Sequence, residues 1–239
     1  LITFVAARDM SFRTLYFLAA GIIIVDGIFL AILPFPPKEE APKAADGTVE
    51  KRKMKLTPSA ILLVCIGFTA STTFMLFMEL GKLYGMANPS MIQSFYSAGI
   101  ICAVLLTAAL MKKGLKPIRV LVIYPCVAFC ALLLMYFVQI PQICMIGGFL
   151  IGYFAAGGVL QLATSTANEM FPRDKGKITA VVMIASSIAN YAVLNVASLL
   201  SKVGGVEGPR YILLFNAVVT AIGIVFAIIL NLRFEKDAQ

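Results

Sequence analysis

Two acids stand where a carboxylate is expensive. Asp26 and Glu79 lie inside apolar stretches long enough to cross a bilayer, and an ionisable residue at that depth costs about 2.5–3.5 kcal/mol on insertion scales. Such a group persists with a partner or a watery cavity, where it can carry a proton or hold a charged solute. Glu79 has Lys82 three residues on, on the same helical face. One reading is a local ion pair near the membrane surface, with Lys82 reaching outward. The other is a protonatable or solute-binding acid lining a cavity. Thr72, Met75 and Glu79 share a face by i, i+3, i+7 spacing, which favours the cavity. Asp26 is followed by Gly27 and otherwise flanked by aliphatic residues. It either pairs with a group elsewhere in the protein or carries protons.

Neutral polar side chains form further stripes. Tyr153, Gly157, Gln161, Thr164 or Ser165, and Asn168 recur at helical spacing. Ser187, Tyr191, Asn195 and Ser198 form a second line, with Ser186 and Asn190 beside it. Gln93, Tyr96 and Ser97 cluster at one end of another stretch. These groups either bond between helices, at about 0.6 kcal/mol per contact, or line a solute path. Packed membrane interfaces prefer Gly, Ala and Ser, whereas large amides and phenols need room or water. The candidate solute-binding residues are therefore Thr72, Gln93, Tyr153, Gln161, Tyr191 and Asn195, with Glu79 and Asp26 as candidate proton-coupling residues. Neutral hydrogen-bonding groups dominate, which suits a hydroxylated or zwitterionic solute.

Catalysis finds no support in the residues. The sequence has no His, and no GxSxG, HExxH or Walker A pattern. Proteolysis by paired aspartates would need a second membrane-buried Asp. Cys65, Cys102, Cys126, Cys130 and Cys144 all fall in apolar stretches without a CxxC pair, and read as small buried hydrophobes, not metal ligands. The sequence is thus expected to need no cofactor and no metal.

The elements that must position these residues are membrane helices. The chain is 60% hydrophobic and 13% charged, with mean hydropathy +0.93, against about 45–50% and 25% in soluble domains. Seven stretches, 11–35, 59–85, 89–111, 117–138, 141–168, 177–203 and 210–233, exceed the roughly 18 residues a bilayer requires. Residues 1–7 read as the tail of an earlier span. Ser11 is the expected N-cap of the first complete helix, and Pro34, Pro36 and Pro37 stop it. Residues 36–57 are charged and lack a hydrophobic period, so they read as a linker. Thr57-Pro58 then supplies an N-cap and a first-turn proline. Gly148, Gly152 and Ala156 recur every four residues, a face that lets another helix approach closely. The start at Leu-Ile-Thr, without an initiator Met, suggests a fragment of a longer chain.

Loop charges set the orientation. Residues 36–57, 112–119, 169–177 and the C-terminal tail, placed on one side, collect 15 of the 20 basic residues. The other side holds Arg8, Arg13, Lys82, Lys202 and Arg210. By the positive-inside rule the first set is cytoplasmic, and with it the C-terminus, in a multi-pass protein of the plasma membrane. The net charge of +8 therefore reads as an orientation signal and excludes nucleic acid as a partner.

This arrangement resembles the second half of the major facilitator superfamily. The polar linker followed by six spans is similar to that family's connection between two six-helix halves. Met170-Phe171-Pro172-Arg173-Asp174-Lys175-Gly176-Lys177 resembles its Phe-Pro…Arg-Gly segment before the penultimate helix. Ser11-Phe12-Arg13-Thr14-Leu15-Tyr16-Phe17 resembles the Trp-Arg…Phe start of its sixth helix. Lys112-Lys113-Gly114-Leu115-Lys116-Pro117-Ile118-Arg119 stands at the place of its basic loop between helices eight and nine, without the family's acidic residue. The resemblance covers the whole chain. It implies an all-α membrane fold in which residues 1–35 end the N-terminal half, 36–58 link the halves, 59–233 form the six-helix C-terminal bundle and 234–239 form a cytoplasmic tail. It further implies that 59–85 and 141–168 line a central cavity, and that Arg119, Arg173 and Lys175 belong to gating loops. The expected activity is secondary transport of a small solute by alternating access, coupled to protons, with the missing N-terminal half of the same transporter supplying the rest of the cavity. Efflux of drugs or metabolites by proton antiport, and a non-transporting half-size subunit, are the alternatives.

Overall fold

The computed structural model describes residues 12–33, 57–70, 77–171 and 174–237, and all regular structure among them is helical. The helices are α1 (Phe12–Ile32), α2 (Pro58–Ala70), α3 (Phe77–Leu83), α4 (Met91–Lys112), α5 (Pro117–Phe137), α6 (Pro141–Ile151), a π-turn (Gly152–Ala156), α7 (Val159–Met170), α8 (Lys175–Gly204) and α9 (Gly208–Asp237). The chain divides into two compact units, residues 1–53 and 54–239. The first holds α1, a single apolar helix carrying Asp26. The second holds α2 through α9.

Local chemistry sets the helix starts. The Thr57 hydroxyl accepts the Ala60 N–H at 3.3 Å, capping α2 one residue ahead of Pro58. Pro117 and Pro141 open α5 and α6, where a missing N–H leaves nothing unsatisfied. The expected N-cap Ser11 and the stop at Pro34, Pro36 and Pro37 lie outside the described residues. The span expected over 59–85 is described as α2 and α3, on either side of residues 71–76.

Two apolar clusters hold the second unit together. Leu80, Ile92, Tyr96, Leu132, Met135, Cys144, Ile151 and Leu213 fill one end. Leu63, Ile66, Leu121, Tyr124, Leu162, Ile178, Val182 and Leu230 fill the other. Within lipid, shape matching and dispersion stabilise such clusters, since lipid tails are as apolar as the side chains. Outward-facing positions stay apolar as well. Leu105, Ile123, Val218 and Val225 are each more than half exposed, which water would not tolerate over so wide a surface.

The seam between α4 and α6 is built from main chain. A methyl group at Gly99 would meet the Phe149 carbonyl oxygen, and one at Gly152 the Tyr96 carbonyl oxygen. At Gly148 the neighbour is Ile92, and at Gly157 it is Ala103. The close-approach face thus runs 148, 152, 157 in place of the expected 148, 152, 156. The π-turn at Gly152–Ala156 is the reason, because it adds one residue to a turn and passes the contact from Ala156 to Gly157. The same turn divides the span expected to run unbroken over 141–168.

Candidate solute-binding face

α2, α7 and α8 pack on one another, and α7 and α8 each turn a polar stripe outward from the bundle. On α7, Gln161 and Ser165 are exposed one turn apart. On α8, Ser187, Tyr191, Asn195 and Ser198 are exposed along a single face, with Tyr191 72% accessible. Several of these groups are held by their own helix. Ser187 Oγ donates to the Met183 carbonyl at 2.9 Å, and Asn195 Nδ2 donates to the Tyr191 carbonyl at 2.8 Å. Both Asn195 and Tyr191 remain exposed, where a solute could meet them. The face offers donors and acceptors and, apart from Glu169 near the end of α7, no formal charge.

Other expected site residues lie elsewhere. Tyr153, inside the π-turn, packs among aromatic rings, 5.8 Å from Tyr124, 4.6 Å from Phe154 and 6.4 Å from Phe149 between centroids. Beneath it the hydroxyls of Thr107 and Tyr124 bond at 2.7 Å. Gln161 lies beyond the π-turn, two turns on from Tyr153, in α7. Gln93 is half-buried in the first turn of α4, where its carbonyl accepts the Ser97 hydroxyl at 2.9 Å. Asn168 is used between helices: its amide oxygen accepts from Thr179 Oγ1 at 2.9 Å, tying α7 to α8. Thr164 bonds the Leu160 carbonyl of its own helix at 2.8 Å. Thr72 and Met75 lie outside the described residues.

Glu79 forms the local ion pair that its spacing allowed, with Lys82 Nζ 2.9 Å from its carboxylate. Both side chains are more than half exposed, so the pair contributes at most about 1 kcal/mol. It flanks an open cleft of about 360 Å³ whose other wall is Ser201, Gly205, Val206 and Pro209, at the turn between α8 and α9. Arg119 and Lys175 are exposed in the first turns of α5 and α8, and Arg173 lies outside the described residues. Among the described residues no cluster of His, Cys, Asp and Glu could hold a metal ion.

Three features were not legible in advance. Asn216, in α9, is 1% exposed, and among the described residues neither atom of its amide has a partner. Arg210 anchors one end of the bundle. Its guanidinium donates to Glu207 at 2.7 Å, lies 5.1 Å from the Tyr136 ring centroid, and reaches the Gln139 amide oxygen at 2.8 Å when that amide is oriented oxygen-inward. Nearby, the Tyr84 hydroxyl donates to the Met135 carbonyl at 2.8 Å. The Glu207–Arg210 pair is local, three residues apart, but the contacts of Arg210 with Tyr136 and Gln139 and of Tyr84 with Met135 join residues far apart in sequence, which no local period reveals.

The family model described as Major Facilitator Superfamily matches residues 1–189 and 90–239. Among curated proteins, the chain is 30% identical over 246 residues to an uncharacterized MFS-type transporter, YfkL, of Bacillus subtilis (strain 168), covering 99% of this chain and 61% of that protein. It is 30% identical over 230 residues to the inner membrane transport protein YdiN of Escherichia coli (strain K12), covering 90% and 54%. It is 27% identical over 250 residues to the inner membrane transport protein YdiM of the same organism, covering 100% and 60%. The chain thus spans about 60% of the length of these relatives. With a helical bundle apolar on its outside, and with a polar face on two of its helices, this integral multi-pass membrane protein belongs to the major facilitator superfamily.

Proposed function

We propose that α2 through α9 form one wall of the solute pathway of a secondary active transporter, which moves a small solute by alternating access. The observation that carries this is the exposed polar face of α7 and α8, with Gln161, Tyr191 and Asn195 set in otherwise apolar membrane helices. A lipid-facing surface would leave such groups without partners at a cost of several kcal/mol each, so a watery pathway is the environment that suits them. A second set of helices, from the N-terminal half of the same transporter, closes the pathway opposite this wall. The curated relatives extend well beyond the matched region, which supports that reading. The neutral donors and acceptors favour a hydroxylated or zwitterionic solute. Glu79, and Asp26 in α1, are the candidate proton-coupling groups, and Arg119, Arg173 and Lys175 the candidate gating residues. The basic loops set the cytoplasmic side and place the C-terminus there.

Uptake into proteoliposomes carrying the full-length protein, with and without a pH gradient, tests the proposal. Flux that rises with the gradient is expected. With Glu79→Gln the response to the gradient should be lost while gradient-free exchange persists. An unchanged response would remove Glu79 from the coupling pathway. Tyr191→Phe combined with Asn195→Ala should raise the half-saturating solute concentration about tenfold, since one to two hydrogen bonds at about 1 kcal/mol each are removed.

A further inference from the structure

The turn between α4 and α5 gathers four cations without an acid. Lys112 ends α4, Lys113 and Lys116 lie in the turn, and Arg119 stands in the first turn of α5. All four are exposed, and among the described residues none of them forms an ion pair. The neighbouring basic segment on the same side of the bundle behaves differently. There Lys177 pairs with Asp174 at 2.6 Å, so its charge is partly neutralised within the protein.

The turn is also built to hold its shape. The Gly114 N–H donates to the Met111 carbonyl at 3.0 Å, and the Leu115 N–H donates to the Leu110 carbonyl at 3.4 Å. Gly114 takes φ +92°, the left-handed conformation that this helix ending requires and that glycine adopts without strain. Pro117 fixes the start of the next helix two residues after Leu115. The N–H groups of Lys113, Gly114 and Leu115 are thus spent within the turn, which presents its four cations on a hydrogen-bonded platform. Leu115 lies among them and is 39% exposed, an apolar side chain beside the cations.

We propose that this turn is a binding site for the anionic headgroup of a membrane phospholipid, with Lys112, Lys113, Lys116 and Arg119 around the phosphate and Leu115 inserted beside the acyl chains. Cations adjoining a membrane helix attract anionic lipid additively, and an apolar side chain next to them adds a second, independent contribution to interfacial binding. Arg119 contributes a planar fork suited to two phosphate oxygens, and the lysines contribute point charges. The internally bonded turn needs little ordering on binding, which favours retention. The lipid belongs to the leaflet that holds the turn. The orientation proposed above makes that the cytoplasmic leaflet, but the site itself does not depend on it.

Native mass spectrometry of the full chain in mild detergent, titrated with phosphatidylglycerol or phosphatidylcholine, tests the site independently of orientation and of transport. Retained phosphatidylglycerol should exceed phosphatidylcholine by tenfold or more, and the excess should shrink with salt. Changing Lys112, Lys113, Lys116 and Arg119 to Gln should weaken retention roughly fivefold per cation removed. Changing the three lysines to Arg should preserve it, and Lys175→Gln with Lys177→Gln should leave it within twofold. Equal retention of the two lipids would overturn the proposal, as would equal retention by the four-Gln variant in a preparation that melts at the parent temperature.

Discussion

Asn216 sits in α9 with both ends of its amide buried and, among the described residues, unbonded. One turn on, Thr220 satisfies its hydroxyl on the Asn216 carbonyl at 2.7 Å, so the neighbouring polar residue is content while the amide is not. An amide left without partners in an apolar interior costs about 1–3 kcal/mol. Replacing it by Leu, which has the same branching, should therefore raise stability by up to about that amount, less whatever its larger methyl groups cost in packing, read as a higher melting temperature in detergent. If stability rises and transport falls, the amide serves the transport cycle. If the melting temperature drops, the amide supports the packing, and the unbonded picture fails. Glu79 shows the opposite case. Its partner lies three residues away and both groups face outward, so its removal should leave stability nearly unchanged, whatever it does to coupling.

The seam of α4 on α6 carries the sharpest expectation among the elements. Gly152→Ala sets a methyl group against a carbonyl oxygen that its own helix holds in place, and overpacking of that kind costs about 1–3 kcal/mol. Gly176→Ala, in the first turn of α8 with open space around it, should be neutral or stabilise by up to about 1 kcal/mol. Thermal unfolding of the two variants side by side separates packing from helix propensity. At the other clasp, Arg210→Met removes the contacts to Glu207, Gln139 and Tyr136 together and should cost about 1–2 kcal/mol by the same measurement. The existence of these helices was legible, because apolar length and proline placement are local properties. Thr57-Pro58, Pro117 and Pro141 mark their helix starts as the residue types require. The π-turn was not legible. Read at 3.6 residues per turn, Tyr153 and Gln161 share a stripe, and the π-turn at Gly152–Ala156 interrupts that period. The ring partners of Tyr153 could not be read either, since Tyr124 lies on another helix and nothing local announces the pairing. Of the candidate face, Gln161, Ser187, Tyr191 and Asn195 emerged from periodicity because α7 and α8 are each regular where those residues fall.

At the scale of the whole molecule, the proposed orientation has a direct check. A cysteine placed at Lys113 should react with a membrane-impermeant maleimide only after the cells are opened, and one placed at Val206 should react in intact cells. The reverse pattern would overturn the positive-inside assignment. Val206 marks the tip of the α8–α9 hairpin, where two helices of 30 residues each meet across only Gly205–Glu207. That brevity bears on how the protein is made. A connection so short leaves little polar chain to cross the bilayer, which favours entry of the two helices as a folded-back pair. The leading tip carries Glu207 bonded to Arg210 at 2.7 Å. A paired Glu207 and Arg210 present a smaller electrostatic barrier to translocation than two separate charges, so the ion pair that anchors the finished bundle would already ease its assembly, with Lys202 the remaining charge of the tip.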